Sequence, residues 1–551
     1  MEVIMITFDK NDKILGNIAA LFEKRLKEQT DITLAVDEAM GEFVGKIENG
    51  VITAGSYGEL LNTCGRYLRN KNVRGEFTSH KKISGQYITT HFKNYLDAAP
   101  LEELYEYYAD LAFWGMNTFN VWFDMHHYVD MEEGKKDADR LKAMLRFVKS
   151  IGVKISMTYL PNEAWDSSPV ELRADWTPGH DGYVYPLSSH YHREICPSIP
   201  GGMEEIIKER REMMEYFKDI ELDYVYVLPY DQGGCSCTAC APWGSNGLIR
   251  NMEALIPVIK EYYPNTQIIL SLWQFGTYRC NEEEFEGLKK ELLKGRLPEV
   301  DYLVSEPEYA EYAFREGMPR PILNFPEISM PGAIPWGGFG ANPVPKKQQE
   351  LWDKNGDKLE GGMPYSEGLF EDINKVICMR FYRDNQSADA TIKEYLAYEF
   401  GLQGEILEKT AKAVWDMEET LPRTYRPPYL RGETGTYYYI MHEGQKPHCY
   451  PIKNPDKVES IEKTFAEAHE SLAEDVKESK KWQMLYLRAM IDGELKRNDW
   501  TRNDVTLGYF RKLVELCHLQ KSGWATKPDI VLVDGEEACH QFNLDAGLIR
   551  E

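Results

Sequence analysis

Two hydrophobic periods alternate along this chain. From about residue 86 to residue 371, short runs rich in Val, Ile, Tyr and Phe alternate with stretches whose apolar positions fall at helical spacing. The runs that predict strands are Tyr87–Phe92, Thr118–Phe123, Lys154–Tyr159, Tyr224–Leu228, Gln267–Trp273, Tyr302–Ser305, Ile322–Phe325 and Gly362–Tyr365. Helical spacing is found in Pro100–Ala112, Asp137–Ile151, Met203–Phe217, Gly247–Tyr262, Glu282–Lys294 and Gln348–Trp352. Strand–helix alternation implies parallel pairing, and eight strands predict an α/β fold closed into a (β/α)8 TIM barrel. An open doubly wound sheet shares the alternation, but no glycine-rich phosphate loop supports it.

The flanks read differently. Val3–Phe8 and Ile32–Val36 are strand-like, Asn11–Gln29 carries Ile14, Ile18, Leu21, Phe22 and Leu26 at helical spacing, and Tyr57–Leu68 follows as a helix. Lys46–Glu48 and Val51–Ala54 flank Asn49-Gly50, the signature of a two-residue hairpin turn. After residue 371 the pattern is helical over Asp372–Tyr382, Ala388–Phe400, Glu405–Glu419, Val458–Val476 and Lys480–Leu495. Residues 421–455 are rich in Pro, Tyr and Gly and predict a long ordered loop, and Asp529–Asp534 predicts a strand. The expected organisation is a small α/β domain over 1–85, a catalytic barrel over 86–385 and a mostly helical C-terminal region over 386–551.

Composition narrows the function. The 551 residues are 43% hydrophobic and 28% charged, a globular balance. The net charge of −25 argues against nucleic acid and against an anionic membrane surface as partners. The start, MEVIMITFDKNDKILGN, has a short apolar run, no basic leader, and acids at Asp9 and Asp12, so a cytoplasmic location is expected.

In a barrel of this kind reactive side chains sit just after each strand. In chain order these positions hold His91; Asp124, His126 and His127; Asn162, Glu163 and Trp165; Tyr230, Asp231 and Gln232; Trp273 and Gln274; Glu306 and Glu308; Glu327; and Tyr365, Ser366 and Glu367. Six of the eight ends carry a carboxylate, an arrangement whose repulsion and desolvation a purely structural rim has little reason to bear. Sugar cleavage needs it: one protonated acid for the leaving oxygen and a second carboxylate as base or nucleophile. Trp273, Trp336, Tyr230 and Tyr365 suit the apolar faces of sugar rings, and His91, Asp124, His126, Asn162, Gln232 and Glu367 suit hydroxyls. Asp231, Glu306 and Glu327 are the candidate catalytic carboxylates. Taken singly, each acid also reads as a solvated loop residue or a helix cap; Glu367 reads as a helix start and the two histidines as braces of the rim.

Cys235, Cys237 and Cys240 form C-x-C-x-x-C after strand four, and Cys196 is a fourth partner for a structural zinc. The other reading is a packed loop of buried thiols. No cofactor is required for the expected chemistry.

The segment IENGVITAGSYGELLNTCGRYLR (47–69) resembles the end of the small domain that precedes the barrel in β-hexosaminidases and α-glucuronidases. The segment YVYVLPYDQGGCSCTAC (224–240), followed by a helix and IILSLWQF, resembles the barrel centre of a bacterial group related to β-N-acetylglucosaminidases, and the domain order is similar to α-glucuronidases. The resemblance implies a glycoside hydrolase with its acid near the end of strand four, by position Asp231, and a base from a later strand, by position Glu306 or Glu327. Hexosaminidases with substrate-assisted chemistry place an adjacent Asp-Glu pair here; this chain has Asp231-Gln232. The expected activity is exo-acting cleavage of oligosaccharides containing N-acetylhexosamine or uronic acid. The alternatives are a metal-dependent barrel hydrolase or isomerase using His91, Asp124, His126 and His127, and a non-catalytic carbohydrate-binding protein. The helical C-terminal region is left with closing the barrel mouth, binding a second copy in a homo-oligomer, or neither.

Overall fold

The computed structural model describes residues 6–26, 31–90, 94–174, 193–229, 234–235, 237–273, 275, 282–305, 313–314, 317–329, 335, 340–421, 454–498 and 503–518. The N-terminal sheet contains β1 (Ile6–Thr7), β2 (Ile32–Val36), β3 (Val44–Glu48), β4 (Val51–Ala54) and β5 (Gly75–Thr78), in the order β1-β2-β4-β3-β5. The hairpin joining β3 to β4 turns at Asn49 (φ 50°) and Gly50 (φ 76°), both left-handed, as a tight turn between twisted strands requires. Ser56 caps the helix Tyr57–Arg69 by accepting from the Glu59 amide. That helix lies against Leu101–Trp114, where a Cβ on Gly65 would stand 1.7 Å from the Phe113 carbonyl oxygen, so only glycine admits the approach. Glu59, on the helix Tyr57–Arg69, is buried and pairs with Arg383 at 2.6 Å.

Eight parallel strands close the barrel. They are β6 (Ile83–Ile88), β7 (Thr118–Trp122), β8 (Lys154–Tyr159), β9 (Tyr224–Val227), β10 (Gln267–Ser271), β11 (Val300–Ser305), β12 (Ile322–Asn324), and a last strand in two pieces, β13 (Gly361–Gly362) and β14 (Tyr365–Ser366). Both pieces pair with β6, Gly361 with Ile83 and Tyr365 with Tyr87, which removes every free edge. The helices Leu101–Trp114, Met131–Ser150, Gly202–Phe217, Gly247–Tyr262, Glu282–Leu293, Pro345–Asn355 and Asp372–Asp384 follow strands of the barrel.

A separate apolar cluster unites Ile83, Tyr87, Trp122, Leu160, Tyr224, Tyr226, Leu228, Ile269, Val304, Leu323, Phe325 and Met363 from around the barrel. Strand side chains alternate between faces, so within each strand every second residue joins this cluster: Tyr224, Tyr226 and Leu228; Ile269 with Trp273 at its edge; Phe325; Met363 and Tyr365. Tyr87 packs edge-on against Tyr226 and Phe325, with ring centroids 5.4 and 5.3 Å away, and Tyr365 lies 5.9 Å from Tyr87. These four rings pack together within that cluster, toward the C-terminal ends of the strands.

Among the described residues six further helices, Ala388–Phe400, Gly404–Glu418, Lys457–Ser471, Glu474–Lys477, Lys480–Arg497 and Asp504–Leu516, form the C-terminal region. Trp114 donates its indole N–H to Glu399 at 2.9 Å, which ties this region to the first barrel helix. Among the described residues no helix is long and apolar enough to cross a membrane.

Candidate functional site

Three groups of side chains stand at the C-terminal ends of the strands. The first is built by β10, β12 and β14. Trp273, two residues past β10, donates its indole N–H to Glu327 Oε1 at 2.9 Å. Glu327, three residues past β12, forms an isolated parallel bridge with Tyr365, whose amide donates to the Pro326 carbonyl at 2.8 Å. Tyr365 donates its hydroxyl to Glu367 Oε1 at 3.1 Å, and the Glu367 amide donates to Ser329 Oγ at 3.3 Å. Trp273, Glu327, Tyr365 and Glu367 are all half-buried, so this group is held in place and still reaches solvent. Parity accounts for the meeting: Phe325 belongs to the barrel interior, and Glu327 is the next residue of the same face. The indole N–H fixes the orientation of the Glu327 carboxylate at the mouth.

The strand-seven end is also braced from outside the barrel. Asn342 donates to the Ile328 carbonyl at 2.7 Å, and Asn374 donates to the Asn342 carbonyl at 2.8 Å. The neighbouring Ala341 carbonyl accepts at 2.7 Å from Arg488, a buried residue of the C-terminal helices. The C-terminal region therefore reaches the residues beside Glu327.

The second group stands at the ends of β7 and β8. His126 Nδ1 lies 2.5 Å from Asp124 Oδ1 and 3.0 Å from Glu163 Oε1, and all three side chains are buried. Arg210 lies 4.0 Å from Glu163 Oε2 and donates to the Leu160 carbonyl at 2.7 Å. His127 points outward, one third exposed, with Nδ1 3.7 Å from Asp124. Burial opposes a charge on His126, but the Asp124 and Glu163 carboxylates outweigh it and raise its pKa to about 10. Burial pushes Glu163 above the usual carboxylate range, against the pull of His126. Both groups therefore hold protons in the folded chain that the unfolded chain releases. The His126 contribution to stability is complete below 6.5 and is lost as pH rises toward 10; the raised Glu163 acts in the same sense at lower pH. The urea midpoint is expected to fall across that range, and His126→Gln to flatten the fall. A slope unchanged by the substitution would show that His126 is not the titrating group.

The third group joins two loops. Asn162 donates to the carbonyls of Gly234 (2.8 Å) and Ile195 (3.1 Å) and accepts from the Gly234 amide (3.0 Å). Its amide is directed at backbone, so Asn162, expected as a sugar contact, braces the chain that follows strand four. Cys196, Cys235, Cys237 and Cys240 converge beside it, with ligand atoms within 4.8 Å of one another.

The expected site residues fall as follows. Glu327, Trp273, Tyr365 and Glu367 come together. Asp124 and His126 come together with Glu163, with His126 buried rather than open at the rim. His91, Tyr230, Asp231, Gln232, Glu306 and Trp336 lie outside the described residues. Glu367 does not cap a helix: Glu371 Oε1 accepts from the Gly368 amide at 2.8 Å, and the helix begins at Asp372. Sequence reasoning passed over Arg210. Its signal was a charged residue on a buried helical face with Ile206 and Met213, at the spacings i−4 and i+3.

No protein-family model and no curated protein matches the chain. Solved structures do. A family 89 glycoside hydrolase from Clostridium perfringens, determined with GlcNAc-α-1,4-galactose, is 14% identical and superposes with a TM-score of 0.59 over 93% of this chain and 65% of its own. The same family in complex with PUGNAc, also from Clostridium perfringens, gives 13%, 0.59, 97% and 69%. A GH138 enzyme targeting pectin rhamnogalacturonan II gives 10%, 0.56, 94% and 72%. The chain thus spans about two thirds of the length of these neighbours, and they share its fold.

Proposed function

We propose that this protein is an exo-acting glycoside hydrolase that removes N-acetylhexosamine or uronic acid residues from oligosaccharides in the cytoplasm, where its clustered thiols stay reduced. The observation that carries the reading is the half-buried Glu327, hydrogen-bonded by Trp273 and beside Tyr365 and Glu367. Apolar ring faces next to oriented carboxylates are what a sugar subsite requires. The fold neighbours add a substrate class, since one binds an N-acetylglucosaminide and another targets pectin.

Glu327 serves as base or nucleophile, with Glu306 the other residue in line for that role. Asp231 is the acid, donating a proton to the glycosidic oxygen. A separation of about 5–5.5 Å between the two carboxyl groups would give retention, and roughly 6.5–9.5 Å inversion. The metal-dependent alternative would draw on Asp124, His126 and His127, whose ligand atoms lie within 4.8 Å of one another, with the two carboxylates at Nδ1 leaving His126 Nε2 as its ligand atom.

A panel of aryl glycosides covering both anomers of hexosamines, hexoses and uronic acids tests the proposal. Turnover is expected on one N-acetylhexosaminide or uronide. Sugar-dependent thermal stabilisation without turnover would instead identify a binding protein, and activity abolished by chelator with the melting temperature unchanged would favour the metal-dependent reading.

A further inference from the structure

The four clustered cysteines come from two connections. Cys196 lies between β8 and the helix Gly202–Phe217, while Cys235, Cys237 and Cys240 follow β9. Cys196 Sγ stands 3.8 Å from the sulfurs of both Cys237 and Cys240, and Cys196, Cys235 and Cys240 are buried. A disulfide needs sulfurs about 2.05 Å apart, so neither contact is one. Four thiolates at about 2.3 Å from a tetrahedral zinc have edges of about 3.8 Å, the spacing of both Cys196 contacts, and all four ligand atoms lie within 4.8 Å of one another. Cys237–Cys240 is also a C-x-x-C turn, closed by the Cys240 and Ala241 amides donating to the Cys237 carbonyl, each at 2.9 Å.

The surroundings suit a tetrathiolate. Ser198 Oγ lies 3.0 Å from Cys240 Sγ, and the Arg250 guanidinium lies 3.9 Å from the same sulfur while donating to Ser198 Oγ at 3.0 Å and the Ala239 carbonyl at 2.6 Å. Zinc with four thiolates carries a net charge of −2; the arginine offsets half of it and the hydroxyl supplies a hydrogen bond to sulfur.

We propose that Cys196, Cys235, Cys237 and Cys240 bind one structural zinc ion that staples the strand-three loop to the strand-four loop. The staple and Asn162 act on the same two points. Ile195 and Gly234, the backbone partners of the Asn162 amide, each precede a ligand, Cys196 and Cys235. Metal and amide together anchor the chain at Ile195–Cys196 and at Gly234–Cys235. Four protein ligands close the coordination shell, so the ion takes no part in bond cleavage, and the site stands whether or not the chain cleaves sugars.

The test is metal analysis of the purified full-length protein. Plasma mass spectrometry should find about one zinc per chain, and zinc-edge X-ray absorption four sulfurs at about 2.3 Å. A mercurial thiol reagent should release the zinc, and removal by chelator should lower the melting temperature. Cys196→Ser and Cys240→Ser should each cut bound zinc at least severalfold, while Cys64→Ser, at a buried thiol remote from the cluster, should retain it. If a variant fails to fold, the wild-type stoichiometry and ligand set still decide. Folded, zinc-free protein with four titratable thiols, iron in place of zinc, nitrogen or oxygen ligands in the shell, or a disulfide among these cysteines would each overturn the proposal.

Discussion

Replacing Glu327 with glutamine is expected to lower kcat on the best aryl glycoside by roughly 10²- to 10⁴-fold, the usual contribution of a positioned acid–base group or more. The substitution keeps shape and the acceptor oxygen for the Trp273 indole, which lies 2.9 Å from Oε1, so the fold and its melting temperature should hardly change. It removes the negative charge that would meet the anomeric carbon or activate water. The loss should fall on kcat and kcat/KM together, since the interaction is made in the transition state. Trp273→Phe keeps an aromatic face but not the N–H, and about a ten- to hundredfold loss is expected from one hydrogen bond to a charged group. Steady-state kinetics beside thermal melts separate these cases. A Glu327→Gln protein within a few-fold of wild type would remove Glu327 from the reaction and leave Glu306 as the base.

The largest loss of stability is expected from Arg383→Met. Arg383 and Glu59 are both buried and 2.6 Å apart, and Glu59 also accepts from Ser79 Oγ at 2.6 Å and Asn62 Nδ2 at 3.0 Å. Their pairing joins the small domain to the helix that follows the last barrel strand. Removing the cation strands a carboxylate in a dry interface, at a cost of about 3–5 kcal/mol. Glu59→Gln combined with Arg383→Met should recover much of that loss, because a neutral amide still serves Ser79 and no bare charge remains. Denaturant midpoints of wild type, the two single variants and the double variant measure the coupling. If the double variant is no more stable than Arg383→Met alone, the cost lies in lost packing rather than the stranded charge.

The barrel was legible because its strands are apolar and regularly spaced, and strand boundaries followed wherever the apolar run coincided with the pairing. Lys154–Tyr159 is the same in both readings. The first strand is not: it runs Ile83–Ile88, four residues ahead of the expected Tyr87–Phe92. Ser84, Gly85 and Gln86 break the apolar run, yet all are buried, and a Cβ on Gly85 would meet Met363 at 2.8 Å. Burial there is a property of the closed barrel, which a local window does not contain. The strand Gly75–Thr78 was missed for the opposite reason, since three of its four residues are exposed and it shows no alternation.

The candidate site divides in the same way. That Glu327 and Glu367 belong at the mouth followed from their places after strands seven and eight. That the Trp273 indole selects Glu327, that His126 is buried between two carboxylates, and that Asn162 faces backbone were set by side chains arriving from other strands. Arg488 illustrates the limit, for it lies 147 positions from the Ala341 carbonyl it binds.

By itself, then, the sequence determined the strand–helix rhythm, the parity that aims every second residue inward, and the carboxylates at the strand ends, because these depend on neighbours two to four residues apart. Only the tertiary structure decided which of those side chains touch, which are buried, and how four sulfurs from two loops come within 4.8 Å of one another. Such contacts form between residues distant in the chain, and their geometry exists once the barrel has closed.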